Sequence, residues 1–380
     1  MVCCHLMRRV PTGAPPDERG GRLLGIKDLA AGRYPGFLFG FPVGRRVPVF
    51  HFHESTPETL DPAFRYLAEN GYTTILSDEL DRWVRDGVHP GPARVMLCFD
   101  DALASLWLAV APLLRRYGFR AVTYAIPGRV AEATSVRPTV EHAAVDVAQA
   151  DAAPNPFATW PELVALANEG VVEVQSHSYH HAMVFAGDAV IDVVTPEFAR
   201  EHFMNGPAIA DRTDQFVTPD RLGYPLFPCR SRLSDGRRYY PDASACNRVE
   251  RFVADRGGRA FFAQPAWGEQ LAPLLATIPG RFETAAEQKA AIDHELANAR
   301  DVLEARLKRP VRHMCLPWGI SGTLTREALE RLGFRTAFAN RRAGRLSVGY
   351  GDDPFYLRRL ESRHIFALPG AGRRPFRTFT

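Results

Sequence analysis

A chain of 380 residues with 46% hydrophobic and 24% charged content has the balance of a globular protein and room for one large α/β domain or two ordinary ones. A formal net charge of +4 is small for this length, so nothing singles out a nucleic acid and none is expected as a partner. The six cysteines form no C-x-x-C pair, which removes a zinc knuckle. Met1 to Gly21 carries no apolar core of a signal peptide, and no stretch approaches the length of a membrane span, so a cytoplasmic location is expected.

Residues 1–46 are rich in Gly, Pro and Arg and show no trusted period; they read as an N-terminal arm. The regular part, 47–380, opens with Val47–His53, which alternates as a strand does. A helix over Pro57–Asn70 follows, stopped at Gly71 where a left-handed cap is wanted, and then a strand over Tyr72–Leu76. The unit recurs: strand Val95–Phe99, helix Leu103–Tyr117, stop Gly118, strand Phe119–Ile126. The capping box Thr159-Trp160-Pro161-Glu162 opens a helix to Glu169, with Gly170 as its stop and Val171–Gln175 as the next strand. A second box, Thr284 to Glu287, opens the longest helix, to about Lys308. Strand Val311–Leu316, helix Leu324–Leu332, stop Gly333 and strand Phe334–Ala339 complete the series. Repeated strand–helix–Gly–strand units imply parallel strands with right-handed crossovers and a closed or partly closed β/α barrel. Residues 182–280 interrupt it with paired aromatics and few clear elements; they read as a large insertion near the substrate cleft.

Two stretches carry the chemistry. The apolar run Val95–Phe99 ends on Asp100-Asp101, at the strand end where α/β folds place their sites. Neighbouring strand residues face opposite ways, so one aspartate can hold a metal while the other acts as a base, provided the chain bends. The plainer alternative is that the pair caps the helix after it. Three histidines follow Val171–Gln175 in Ser176-His177-Ser178-Tyr179-His180-His181. If the chain turns helical there, His177 and His181 share a face and can hold one ion. An acidic ligand with two histidines leaves a position open for water, the pattern of a catalytic zinc.

These residues resemble a known family. Cys98-Phe99-Asp100-Asp101 looks like the T-F-D-D motif of the NodB-type polysaccharide deacetylases, carbohydrate esterase family 4, and His177 to His181 looks like its H-[ST]-x-x-H. Leu316-Pro317-Trp318-Gly319 resembles the end of the third motif, R-x-P-[YW]-G, and Thr159 to Leu163 is similar to the T-W-x-E-L run of many members. The resemblance implies a distorted (β/α) barrel and a metal-dependent hydrolase that removes an N-acetyl or other short acyl group from a saccharide or small molecule. It further implies a divalent ion, usually zinc, on Asp101, His177 and His181, Asp100 as the base, and the Trp318 N–H in the oxyanion hole. The family's Thr and Gly around the aspartates are Cys98 and Ala102 here. The third-motif Arg, which orients the base, falls at Cys315, and Arg312 is three residues too early. The best replacement is Arg359: on a strand it shares a face with Leu357, and Leu357-Arg358-Arg359-Leu360 looks like the family's Leu-x-Arg-[IL]. His364 is the candidate acid.

Two other readings stand beside this one. His51-Phe52-His53 resembles the H-x-H pair of amidohydrolase barrels, although none of the only lysines, Lys27, Lys289 and Lys308, is placed as that class often requires. The missing third-motif Arg fits a carbohydrate-binding relative that has lost turnover. Substrate identity and oligomeric state are not encoded in these motifs.

Overall fold

The computed structural model describes residues 32–52, 55–198, 207–209, 216–339 and 345–375. Most of the expected arm, and His53, lie outside them. The described residues form two compact units, one comprising those within 180–294 and 322–325, the other the rest of them.

The larger unit holds eight parallel strands: β1 (Val49–Phe52), β2 (Thr73–Thr74), β3 (Arg94–Asp101), β4 (Ala121–Ala125), β5 (Val172–Ser176), β6 (His313–Cys315), β7 (Thr336–Phe338) and β8 (Leu360–Glu361). Their order is β7-β6-β5-β4-β3-β1-β8, with β2 pairing β3. The sheet is curled and open, a distorted barrel, and the run 357–361 pairs at both edges: Leu357 bridges Phe338 of β7, and Leu360 pairs Phe50 of β1. In the arm, Gly36–Phe39 forms one 3₁₀ turn, held by Arg373, which donates to the carbonyls of Phe37, Gly40 and Phe41.

Strand alternation sorts the core into two layers. Val95, Leu97 and Phe99 of β3 join Phe50, Phe52 and Phe64 between sheet and helices, where Phe52 stacks on Phe99 at 4.8 Å. Met96 and Cys98 face the interior with Val49, Val122, Tyr124, Cys315 and Phe338. The next residue of the interior series is Asp100.

Several expected elements differ from those observed. The strand expected over Tyr72–Leu76 shrinks to Thr73–Thr74, because a helix, Ser77–Asp86, begins at once. Asp78 and Glu79 favour its first turn, and Glu79 accepts the Leu76 N–H at 3.1 Å. The helix expected over Leu103–Tyr117 contains a π-helical turn, Leu106–Val110, before Ala111–Tyr117. The aspartate pair does not cap it. A carboxylate 46 residues beyond Ser105 does: Asp151 accepts the Ser105 N–H at 2.9 Å. The Thr159 box is half formed by Glu162, which accepts the Thr159 N–H at 2.8 Å, whereas both arms of the Thr284–Glu287 box are present.

The insertion is not the irregular stretch its sequence suggests. It contains two- and three-residue strands such as Met183–Phe185 and Cys229–Ser231, and the helices Ala243–Ala254 and Trp267–Leu275. It also has a core of its own around Phe185, Phe227, Tyr239, Val249 and Phe261. A fully buried ion pair stands inside this unit: Arg232 grips Glu283 through both carboxylate oxygens at 3.0 and 2.7 Å, and Glu283 also accepts the Arg238 N–H at 2.7 Å. Such a pair is costly to break, about 3–5 kcal/mol, because one buried charge would be left alone. No helix among the described residues is long and apolar enough to cross a membrane.

Candidate active site

The site is built from three turns, each directly after a sheet strand. The first is the bend after β3. Asp101 and Ala102 have φ of +67° and +55°, and the Ala102 N–H reaches back across Asp101 to the Asp100 carbonyl at 2.8 Å. This reversal breaks the strand alternation at the point where the two aspartates must take different directions. The second turn follows β5. It is irregular rather than helical, with Ser178 at φ +66° and His181 at φ +55°, so the two histidines do not meet on a helix face. The third is Pro317–Gly319 after β6, where Trp318 has φ +53° and ψ 13°. Of the seven non-glycine residues with positive φ among the described residues, five lie in these turns. Each costs of order 1–3 kcal/mol, and such strain concentrates where a site must be held in shape.

Donor atoms of Asp101, His177 and His181 lie within 4.8 Å of one another. His177 Nε2 stands 3.5 Å from Asp101 Oδ1, and its Nδ1–H donates to the Cys315 carbonyl at 2.6 Å. That bond fixes the tautomer in which Nε2 carries no proton, the form a metal ion could take. Asp100, His177 and Cys315 form a second cluster of the same size. It is the poorer donor set: burial pushes the Cys315 thiol well above its ordinary pKa, and Asp100 is already engaged. Neither cluster includes His51.

Asp100 is engaged by Arg359. The guanidinium forks onto the carboxylate, Nη1 to Oδ1 and Nη2 to Oδ2, both at 2.7 Å, with the two side chains 13% and 14% exposed. Phe338 and Tyr124 flank the guanidinium, with ring centroids 5.3 and 5.9 Å from its carbon. Burial opposes the Asp100 charge, but Arg359 outweighs it by charge and hydrogen bonding, and His177 and His51 add to the effect. The carboxylate is therefore held well below the usual range. Cys315, where the motif has its arginine, stands 3.7 Å from Asp100 Oδ2. An arginine reaches Asp100 from another point of the chain.

His364 lies in the 3₁₀ helix Ser362–Ala367. Burial, with Arg363 beside it, pushes its pKa down to about 4. Two further residues bear on the carboxylates: His51, in the interior series of β1, on Asp100, and Arg129, just past β4 and not expected from the sequence, on Asp101. A charge directly after a buried strand, Ile126-Pro127-Gly128-Arg129, was the available signal for the second.

Residues 87–215 match the family model described as polysaccharide deacetylase. Over them, about a third of its length, the chain is similar to the polysaccharide deacetylases. It is an enzyme, a metal-dependent hydrolase of amide bonds. Solved structures similar to it include a de-N-acetylase from Aggregatibacter actinomycetemcomitans, 15% identical, with 84% of this chain and 95% of that one covered and a TM-score of 0.47. The BpsB deacetylase domain from Bordetella bronchiseptica is 18% identical over 84% and 96%, with a TM-score of 0.49. IcaB from Ammonifex degensii is 15% identical over 83% and 92%, with a TM-score of 0.46. No curated protein matches the chain.

Proposed function

We propose that this deacetylase removes an N-acetyl or other short acyl group from a saccharide, with Asp101, His177 and His181 holding a zinc ion and Asp100 serving as the base. The observation that carries the reading is the donor set itself, one carboxylate oxygen and two imidazole nitrogens, with His177 oriented by the Cys315 carbonyl. Three such donors suit a zinc ion with a position to spare, and the hydrogen bond behind His177 suits the orientation a ligand needs. Bound there, the ion would supply Lewis acidity toward the acyl carbonyl and lower the pKa of nearby water toward neutrality.

The chain's own residues do the rest. Asp100 stays ionised through the neutral range and accepts a proton as water attacks the carbonyl carbon. Arg359 keeps the carboxylate aimed through its two bonds. The Trp318 N–H donates to the oxyanion as the carbonyl oxygen gains charge. His364, with its pKa near 4, enters as neutral imidazole and not as the cationic acid, so Asp100 returns its proton to the leaving amine. Elemental analysis tests the assignment. We expect about one ion per chain in the wild type and in Asp100→Asn, and none in His177→Ala/His181→Ala. Activity in Asp100→Asn should fall by about 10²–10⁴. Metal retained by the double-histidine variant would overturn the ligand set, and metal lost from Asp100→Asn would exchange the two aspartates.

A further inference from the structure

The unit built on residues 180–294 contains a cavity of about 570 Å³, none of whose lining residues belongs to the proposed metal site. Its charged lining is one-sided. Among the described residues of its lining, Arg221, Arg238 and Arg281 stand with one carboxylate, Asp242. That carboxylate is committed to the start of the helix Ala243–Ala254, where it accepts the Ala245 N–H at 2.8 Å and the Ser244 hydroxyl at 2.5 Å.

The three guanidinium groups each lie over an aromatic ring. Arg221 lies 4.2 Å from the Tyr224 centroid, and Arg238 and Arg281 lie 4.6 and 4.7 Å from that of Tyr240. A guanidinium over a ring is attracted to it and carries a planar fork of N–H donors that suits a carboxylate or phosphate. Arg238 is 2% exposed and donates to the Ala208 carbonyl at 3.1 Å, so its charge is fixed in the wall. Glu250 grips Arg221 at 2.9 and 2.7 Å, and Glu287 bonds Arg281 at 3.0 Å; neither glutamate lines the cavity. The volume lies in the range of small-molecule sites and exceeds what a bare anion needs.

We infer that this cavity is a binding site for an anionic sugar, one that carries a phosphate or a carboxylate. The arginine edges take the anionic group, and the rest of the cavity takes the ring. The site goes beyond the deacetylation reading and does not depend on it.

Calorimetric titration of the full chain at low salt tests the inference with N-acetylglucosamine 1-phosphate, glucuronic acid, neutral N-acetylglucosamine and inorganic phosphate. At least one anionic sugar should bind tenfold or more tightly than the neutral sugar, and the two separate phosphate from carboxylate as the group recognised. Arg281→Gln, at a side chain 55% exposed and therefore safe for folding, should weaken that binding about tenfold, as losing a hydrogen bond to a charged group does. Arg238→Met should weaken it further, with the fold checked by circular dichroism. Equal affinity for neutral and anionic sugars, or unchanged affinity in Arg281→Gln, would overturn the inference. Inorganic phosphate binding as tightly as the sugar phosphate would also overturn it, because the site would then recognise a bare anion.

Discussion

Replacing Arg359 by Met should convert Asp100 from a fixed anion into a buried carboxylate with no cation against it. Both oxygens of Asp100 are bonded to Arg359 at 2.7 Å and its side chain is 14% exposed, so water can replace little of what is lost. Removing one partner of such a pair costs about 3–5 kcal/mol. The sign of the pH dependence follows from the direction of the shift. In the wild type the Asp100 pKa is depressed, so its contribution to stability is present above the unfolded value of 3.8 and lost as pH falls through the folded value. In the variant, burial acts unopposed by that cation and the folded pKa rises. The variant's deficit is then largest at pH 7–8 and shrinks toward pH 4, where Asp100 is neutral. The assay is the urea midpoint of metal-free protein at several pH values, with Arg358→Met as the control, expected to move by about 0.5 kcal/mol or less. At equal metal content, turnover should fall sharply in Arg359→Met alone, with the acidic limb of its pH–rate profile moved to higher pH. A deficit independent of pH, or equal effects of the two variants, would refute the reasoning.

Ala102 is fully buried at φ +55°, so Ala102→Gly loses a methyl group and gains unfolded-state entropy but escapes about 1–2 kcal/mol of left-handed strain. It should be neutral within about 0.5 kcal/mol, while Ala104→Gly, equally buried and with no positive φ, should cost about 1–2 kcal/mol; equal losses by denaturation would contradict the strain. The His364 imidazole should titrate by NMR with a midpoint near 4, so between that value and its unfolded 6.5 the folded protein gains stability as pH rises; a midpoint above 6 would restore it as a cationic acid.

The barrel was legible wherever alternation or a helical face persisted over a full element. Val95–Phe99 and the Gly118, Gly170 and Gly333 stops are of that kind, and those glycines have φ of +66°, +76° and +79°. The insertion was not legible, because strands of two or three residues such as Asp192–Val193 and Pro225–Leu226 are too short to show a period. The aspartate pair could be read as chemistry or as a helix cap, since Asp suits both; the cap came instead from Asp151, a partner no local pattern announces. The helix expected at the histidines failed for a related reason. Their spacing of four fits one helical turn, but the positive φ at Ser178 and His181 achieves the same approach in irregular chain. The proximity of Arg359 to Asp100 followed from strand phase at Leu357, whereas Arg129 sits past the end of its strand and no phase applies.

The most direct test of the account is acetate release from an N-acetylated glucosamine oligomer by metal-stripped protein titrated with zinc. The account predicts no release without metal, activity that rises to a plateau at one ion per chain, and no activity at any zinc level in His177→Ala/His181→Ala. Undiminished release by the stripped protein, or release by the double variant at the wild-type zinc level, would contradict it.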